Sequence, residues 1–157
     1  MAGDPRLGDA GWVTSGETQP RTTPDKPERR RVVVVDDSDG FRSLLQWFLG
    51  SLPEIEVVAE ARNGLDALVE VERTKPDLVL MDVCMPELDG LQATRRLRTV
   101  GEAARIVLLT AHGDTIPLWL AEEVGADDVL DKSNLAERLR EAVLTPRRRS
   151  PQQGGTR

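Results

Sequence analysis

Tyrosine is missing from this 157-residue chain, cysteine and histidine occur once each, and aromatic residues make up 3% of it. A lone cysteine, Cys84, excludes an intramolecular disulfide and fits a reducing compartment. No stretch approaches the apolar run needed to cross a bilayer. The first 27 residues, rich in Gly, Pro, Thr and Asp, lack the apolar segment of a secretory signal, so a cytoplasmic protein is expected. A basic face is also lacking. Residues 1–30 carry five basic and five acidic side chains, whereas residues 31–145 carry 12 basic and 22 acidic ones. Direct nucleic-acid binding, which depends on neutralising phosphates, is therefore not expected. The Arg147-Arg148-Arg149 run is too short to reverse this and reads as a solvated tail.

Four of the ten prolines fall in residues 1–30, which read as a disordered leader with Trp12 as an exposed exception. Residues 146–157 read as a second disordered end. Between them, in residues 31–145, apolar runs with strand character alternate with segments of helical period. Strands are predicted at 31–36, 55–61, 77–82, 105–110 and 127–131. The first helix, 39–49, would bury Phe41, Leu44, Leu45 and Phe48, with Trp47 in the core or at its rim. The second, 64–74, would turn Leu65, Leu68 and Val69 inward, and the third, 90–100, Leu91, Ala93 and Leu97. Asp114 can cap a fourth helix reaching Val124, with Pro117 tolerated in its first turn, and Ser133 a fifth that buries Leu135, Leu139 and Val143.

Such alternation implies a parallel sheet covered on both faces, in line with the near-continuous Val/Ile/Leu of the first, third and fourth strands. Right-handed crossovers give a strand order of 2-1-3-4-5, and ligands of such sheets bind at the carboxyl ends of the strands, at the switch point. Asp36, Asp37 and Asp82 fall at those ends. Three carboxylates that close repel unless a cation sits among them. An all-oxygen set with no His or Cys cluster nearby points to a hard cation, Mg²⁺. Thr110 and Lys132 also fall at strand ends. A hydroxyl and an ammonium beside such a cluster suit phosphoryl chemistry, in which a carboxylate can itself be the nucleophile.

The set of Asp36-Asp37, Asp82 within MDVCMPELDG, Thr110 within LLTAH and Lys132 within DKS resembles the receiver domain of two-component response regulators. The likeness spans 31 to about 145 with every element in order, and the wording EVVAEARNG and Lys132-Ser133 resembles the subfamily that carries a helix-turn-helix output domain. The resemblance implies a flavodoxin-like, doubly wound (βα)5 fold. It implies that Asp82 accepts a phosphoryl group from a histidine kinase or phosphotransfer protein. It also implies that Asp36, Asp37, Asp82 and the backbone carbonyl of Cys84 hold Mg²⁺, that Lys132 pairs with the phosphoryl group and that Thr110 shifts towards it. A downstream protein would read the face made by the fourth helix, fifth strand and fifth helix, at Trp119, Leu120 and Val129. With Leu118 and Ala121 inward, Trp119 and Leu120 would point partly outward, as a binding patch or in packing against a neighbouring helix.

One departure stands out: receivers usually carry Tyr or Phe three residues before the lysine, where this chain has Val129. Valine has no polar tip and only stiff χ1 wells, so the familiar aromatic rotamer coupling is in question, while phosphoacceptance is not. The single histidine, His112, reads as an exposed bystander in the loop after Thr110, and the Cys84 side chain as a tolerated small residue. Two other classes fit less of the pattern. A Mg²⁺-dependent phosphohydrolase with an aspartyl nucleophile would have an Asp-x-Asp turn after the first strand and a cap, where this chain has adjacent Asp36-Asp37. A phosphorylation-independent docking module would not need the acidic set.

Overall fold

The computed structural model describes residues 28–111 and 116–147, so the expectations for the leader, for Trp12, His112 and Asp114, and for 148–157 lie outside the described residues. In chain order the elements are β1 (Arg30–Val35), α1 (Asp39–Gly50), β2 (Ile55–Ala61), α2 (Gly64–Thr74), β3 (Leu78–Asp82), α3 (Gly90–Thr99), β4 (Arg105–Thr110), α4 (Leu118–Val124), β5 (Asp128–Asp131), a 3₁₀ turn (Lys132–Asn134) and α5 (Leu135–Leu144). Every strand pair is parallel, in the order β2-β1-β3-β4-β5. The predicted flavodoxin-like arrangement is what forms.

Alternate residues of β1, β3 and β4 enter opposite cores. Val32, Val34, Leu78, Leu80, Val107 and Leu109 face one cluster, closed by Leu45 and Leu49 of α1 and by Leu139 and Val143 of α5. Val33, Val35, Val79, Met81, Ile106 and Leu108 face the other, beneath Ala67 and Val71 of α2, Ala93 and Leu97 of α3 and Ala121 of α4. This two-sided burial is why the central strands carry no polar alternation.

Several side-chain placements differ from those predicted. Leu44 is 55% exposed and Trp47 75% exposed, because the register of α1 on the sheet points Leu45 and Leu49 inward and leaves Phe41 and Phe48 only partly covered. In α2 the small pair Ala67 and Val71 faces the sheet, so Leu65 and Val69 turn to solvent and Leu68 is half-buried. Leu118 opens α4 and is exposed rather than inward, while Ala121 is buried as expected. Pro117 precedes that helix as its cap instead of lying in its first turn. Ser133 does not cap α5: it lies in the 3₁₀ turn, and its N–H donates to Asp131 (2.8 Å). Arg147 folds back, donating to the Ala103 carbonyl (3.0 Å) and pairing with Asp127 (3.4 Å).

Two contacts set the loop that follows β3. The Gly90 N–H donates to the Val83 carbonyl (2.8 Å), and the Asp89 carboxylate caps α3 by accepting from the Gln92 N–H (2.8 Å). A Cβ on Gly90 would come within 2.2 Å of the Asp82 carbonyl oxygen and 2.9 Å of the Val83 Cα. These are backbone atoms and cannot swing aside. Gly90→Ala is expected to destabilise the fold by about 1–3 kcal/mol, the usual cost of overpacking, read as a lower urea midpoint at unchanged m-value.

Candidate functional site

The parallel register brings the strand ends level. Val35 pairs with Met81, Asp82 with Leu109, and Thr110 with Asp131, so the residues that close or follow four strands share one edge. Asp36 immediately follows β1 and is fully buried, Asp82 ends β3 with 5% exposure, and Asp37 is exposed. One carboxylate oxygen from each of the three lies within 4.8 Å of the others. The Lys132 ammonium, carried in by the turn after β5, sits 2.6 Å from Asp36 Oδ2 and 3.5 Å from Asp82 Oδ2. Thr110, 5% exposed, directs its hydroxyl at the Leu130 carbonyl of β5 in a long contact of 3.5 Å. Of the residues predicted from the sequence, Asp36, Asp37, Asp82 and Lys132 converge; Thr110 lies at the same edge with its hydroxyl turned to β5.

The remaining polar contacts hold the carboxylates in place. Asp36 Oδ1 accepts from the Ser38 N–H (2.8 Å), and the Ser38 hydroxyl in turn caps α1 by accepting from the Phe41 N–H (3.3 Å). The Cys84 N–H donates to the Asp82 carboxylate, and the Cys84 side chain is exposed. Asp82 lies above the ordinary carboxylate pKa. Burial is the largest cause and Asp36 adds to it, against Lys132 and the Cys84 N–H, which stabilise the ionised form.

Two residues not assigned to the site from the sequence complete it. Arg42, 6% exposed, donates from Nη1 to the Asp36 carbonyl (2.7 Å), from Nε to Glu60 (3.3 Å) and from Nη2 to Asp39. It ties the acidic turn to β2 and α1. Phe41 sets its ring under the Lys132 ammonium, 4.2 Å from centroid to Nζ. The one cue in the sequence was an arginine placed in the apolar stripe of α1, where a charge needs partners.

A doubly wound domain whose switch point gathers three carboxylates and an ammonium is built for oxyanion and cation chemistry at the strand ends. A family profile described as the response regulator receiver domain matches residues 32–144. The chemotaxis protein CheY of Bacillus subtilis is 36% identical over 113 residues, which is 72% of this chain and 93% of CheY. An uncharacterised transcriptional regulatory protein of the same organism, YhcZ, is 42% identical over 96 residues, or 61% of this chain, which thereby spans 45% of that relative. The response regulator domain of Thermotoga maritima CheB superposes with a TM-score of 0.65 at 28% identity, covering 76% of this chain and all of that one. The chain belongs to the response regulator receiver family. Receivers of this family take phosphoryl groups from histidine kinases, act on downstream partners and generally bind Mg²⁺ in an acidic pocket.

Raised pKa and crowding together set a pH dependence of the metal-free protein. Where the folded-state pKa of Asp82 exceeds the unfolded one, the folded state holds more protons between the two values, so rising pH through that window costs stability. With chelator present, Asp82→Asn is therefore expected to be more stable than wild type at neutral pH. The difference should shrink as pH falls towards the ordinary carboxylate range, as thermal unfolding across a pH series would read.

Proposed function

We propose that this chain is a phosphorylation switch in which Asp82 accepts the phosphoryl group of a phosphohistidine on a histidine kinase or phosphotransfer protein. The observation that carries the reading is the Lys132 ammonium spanning Asp36 and Asp82 inside a three-carboxylate cluster. An Asp82 oxygen attacks phosphorus, the P–N bond breaks, and the imidazole leaves with its electron pair and takes a proton. Lys132, already 3.5 Å from Asp82, stabilises charge on the transferring oxygens. Thr110 turns its hydroxyl from Leu130 to the phosphoryl group, and the weakness of its 3.5 Å contact makes that release cheap.

Asp36, Asp37 and Asp82, with the Cys84 carbonyl, fit Mg²⁺: the oxygens are hard donors, and their mutual repulsion is only partly met by one ammonium. When bound, Mg²⁺ supplies Lewis-acid neutralisation of the phosphoryl oxygens. Trp119, 64% exposed on α4, offers an aromatic surface suited to a downstream protein partner, while Leu120 lines the cleft between α3 and α4 and Val129 is half-buried. Val129, packed on the α2–α3–α4 side of the sheet, has no aromatic rotamer to flip, which leaves backbone shifts or repacking of α4 to carry the signal. The acidic body does not suit direct nucleic-acid contact. Among the described residues no helix is long and apolar enough to span a membrane, in keeping with a cytoplasmic role.

Intact mass after incubation with acetyl phosphate tests the acceptor. One Mg²⁺-dependent phosphoryl adduct is expected in the wild type and none in Asp82→Asn; an adduct that persists in the variant would place the acceptor elsewhere. No adduct on folded, Mg²⁺-loaded wild type would favour a phosphorylation-independent docking role.

Lys132→Ala separates the two roles of the ammonium. Its loss leaves three carboxylates without a counter-charge, so calorimetric titration is expected to show tighter Mg²⁺ binding. Phosphorylation should nevertheless slow by on the order of 100-fold, the cost of removing one preorganised stabiliser of transition-state charge.

A further inference from the structure

The Lys132 ammonium has a third neighbour besides Asp36 and Asp82. The Phe41 ring lies 4.2 Å from Nζ, and the lysine side chain is only 19% exposed. Phe41 belongs to the first turn of α1 and packs against the core beneath α1 and α5. It also lines the groove between those helices, beside Leu135 and Leu139. Its ring is therefore anchored by packing on one side and meets the cation on the other.

We propose that Phe41 is a positioning residue for Lys132, holding the ammonium over the Asp36–Asp82 pair before any phosphoryl group arrives; this rests on the reading of Asp82 as the acceptor. A lysine is a point charge on a flexible four-carbon stem, and attraction to Asp36 and Asp82 keeps it near without fixing the path of the stem. The face of an aromatic ring attracts a cation through its quadrupole and adds no net charge. That matters here, because a fourth carboxylate would worsen the repulsion among three that lie within 4.8 Å. An aliphatic side chain of similar size would fill the same space without attracting the cation. With the ring below it, the ammonium directs its hydrogens at Asp36 and at the oxygens that will carry the transferring phosphoryl group.

The test compares wild type with Phe41→Leu, Phe41→Met and Phe41→Tyr. In the metal-free protein the methylene protons of Lys132 next to Nζ should show an upfield ring-current shift by NMR, kept in Phe41→Tyr and lost in the Leu and Met variants. With Mg²⁺ and acetyl phosphate, phosphorylation of Asp82 should slow about threefold to tenfold in Phe41→Leu and Phe41→Met, and Phe41→Tyr should stay within about twofold of wild type. Rescue by tyrosine but not by the similarly sized methionine is what a packing role would not produce. If Phe41→Leu folds poorly, Phe41→Met carries the comparison. A wild-type rate in the folded aliphatic variants, or a tyrosine variant as slow as they are, overturns the positioning role alone. A wild type that takes no phosphoryl group on Asp82 overturns it together with the acceptor reading.

Discussion

Two buried carboxylates at neighbouring strand ends are the constraint around which this domain is arranged. Asp36 and Asp82 have almost no access to solvent, and the neighbouring Asp36 raises the cost of ionising Asp82. Water cannot absorb that charge, so the fold must. It does so with the Lys132 ammonium, with the Ser38 and Cys84 N–H groups, and with an aromatic face that draws the ammonium in without adding charge. The balance is incomplete, since one ammonium faces three carboxylates. A divalent cation and a phosphoryl group are the natural partners of such an arrangement, one taking up the excess negative charge and the other engaging the ammonium.

Precision at that edge comes from the sheet. Parallel pairing in register fixes the relative height of β1, β3, β4 and β5, and each of these strands delivers at least one candidate site residue at its end or just beyond it. The core clusters on the two faces make the central strands rigid, because alternate residues of β1, β3 and β4 are locked into different layers. The loop after β3 is pinned by Gly90, whose lack of a side chain lets α3 begin directly against the Asp82 carbonyl. Arg42 does the corresponding job for the turn after β1 by donating to the Asp36 carbonyl. Site and scaffold are thus coupled through backbone carbonyls as much as through side chains.

What was legible in the sequence was legible because it repeats or because it is expensive. Strand–helix alternation over more than a hundred residues leaves few topologies, and acidic residues ending apolar runs are costly enough to signal a purpose. Helix phase was harder. In α1, Phe41, Leu44, Leu45, Trp47, Phe48 and Leu49 are more apolar residues than one face can hold, so the stripe could be drawn in two ways. Packing on the sheet chose Leu45 and Leu49 and left Trp47 outside. In α2 large residues were read as buried, yet the close approach of the helix to β1 and β2 selected Ala67 and Val71. Size predicts burial only when the space between helix and sheet is known.

The chain by itself therefore determined the class of fold, the strand order and the identity of the four charged residues at the site, because these follow from hydrophobic period, crossover handedness and the rarity of charge at strand ends. Tertiary structure alone decided how the site is tuned. That Phe41 would meet Lys132 from the far end of the domain's sequence, or that Arg42 would turn inward to hold the Asp36 carbonyl, depends on the rotation of α1 against the sheet. No local pattern encodes that rotation. It is set by how the side chains of β1, β2 and α5 fill the space beneath the helix.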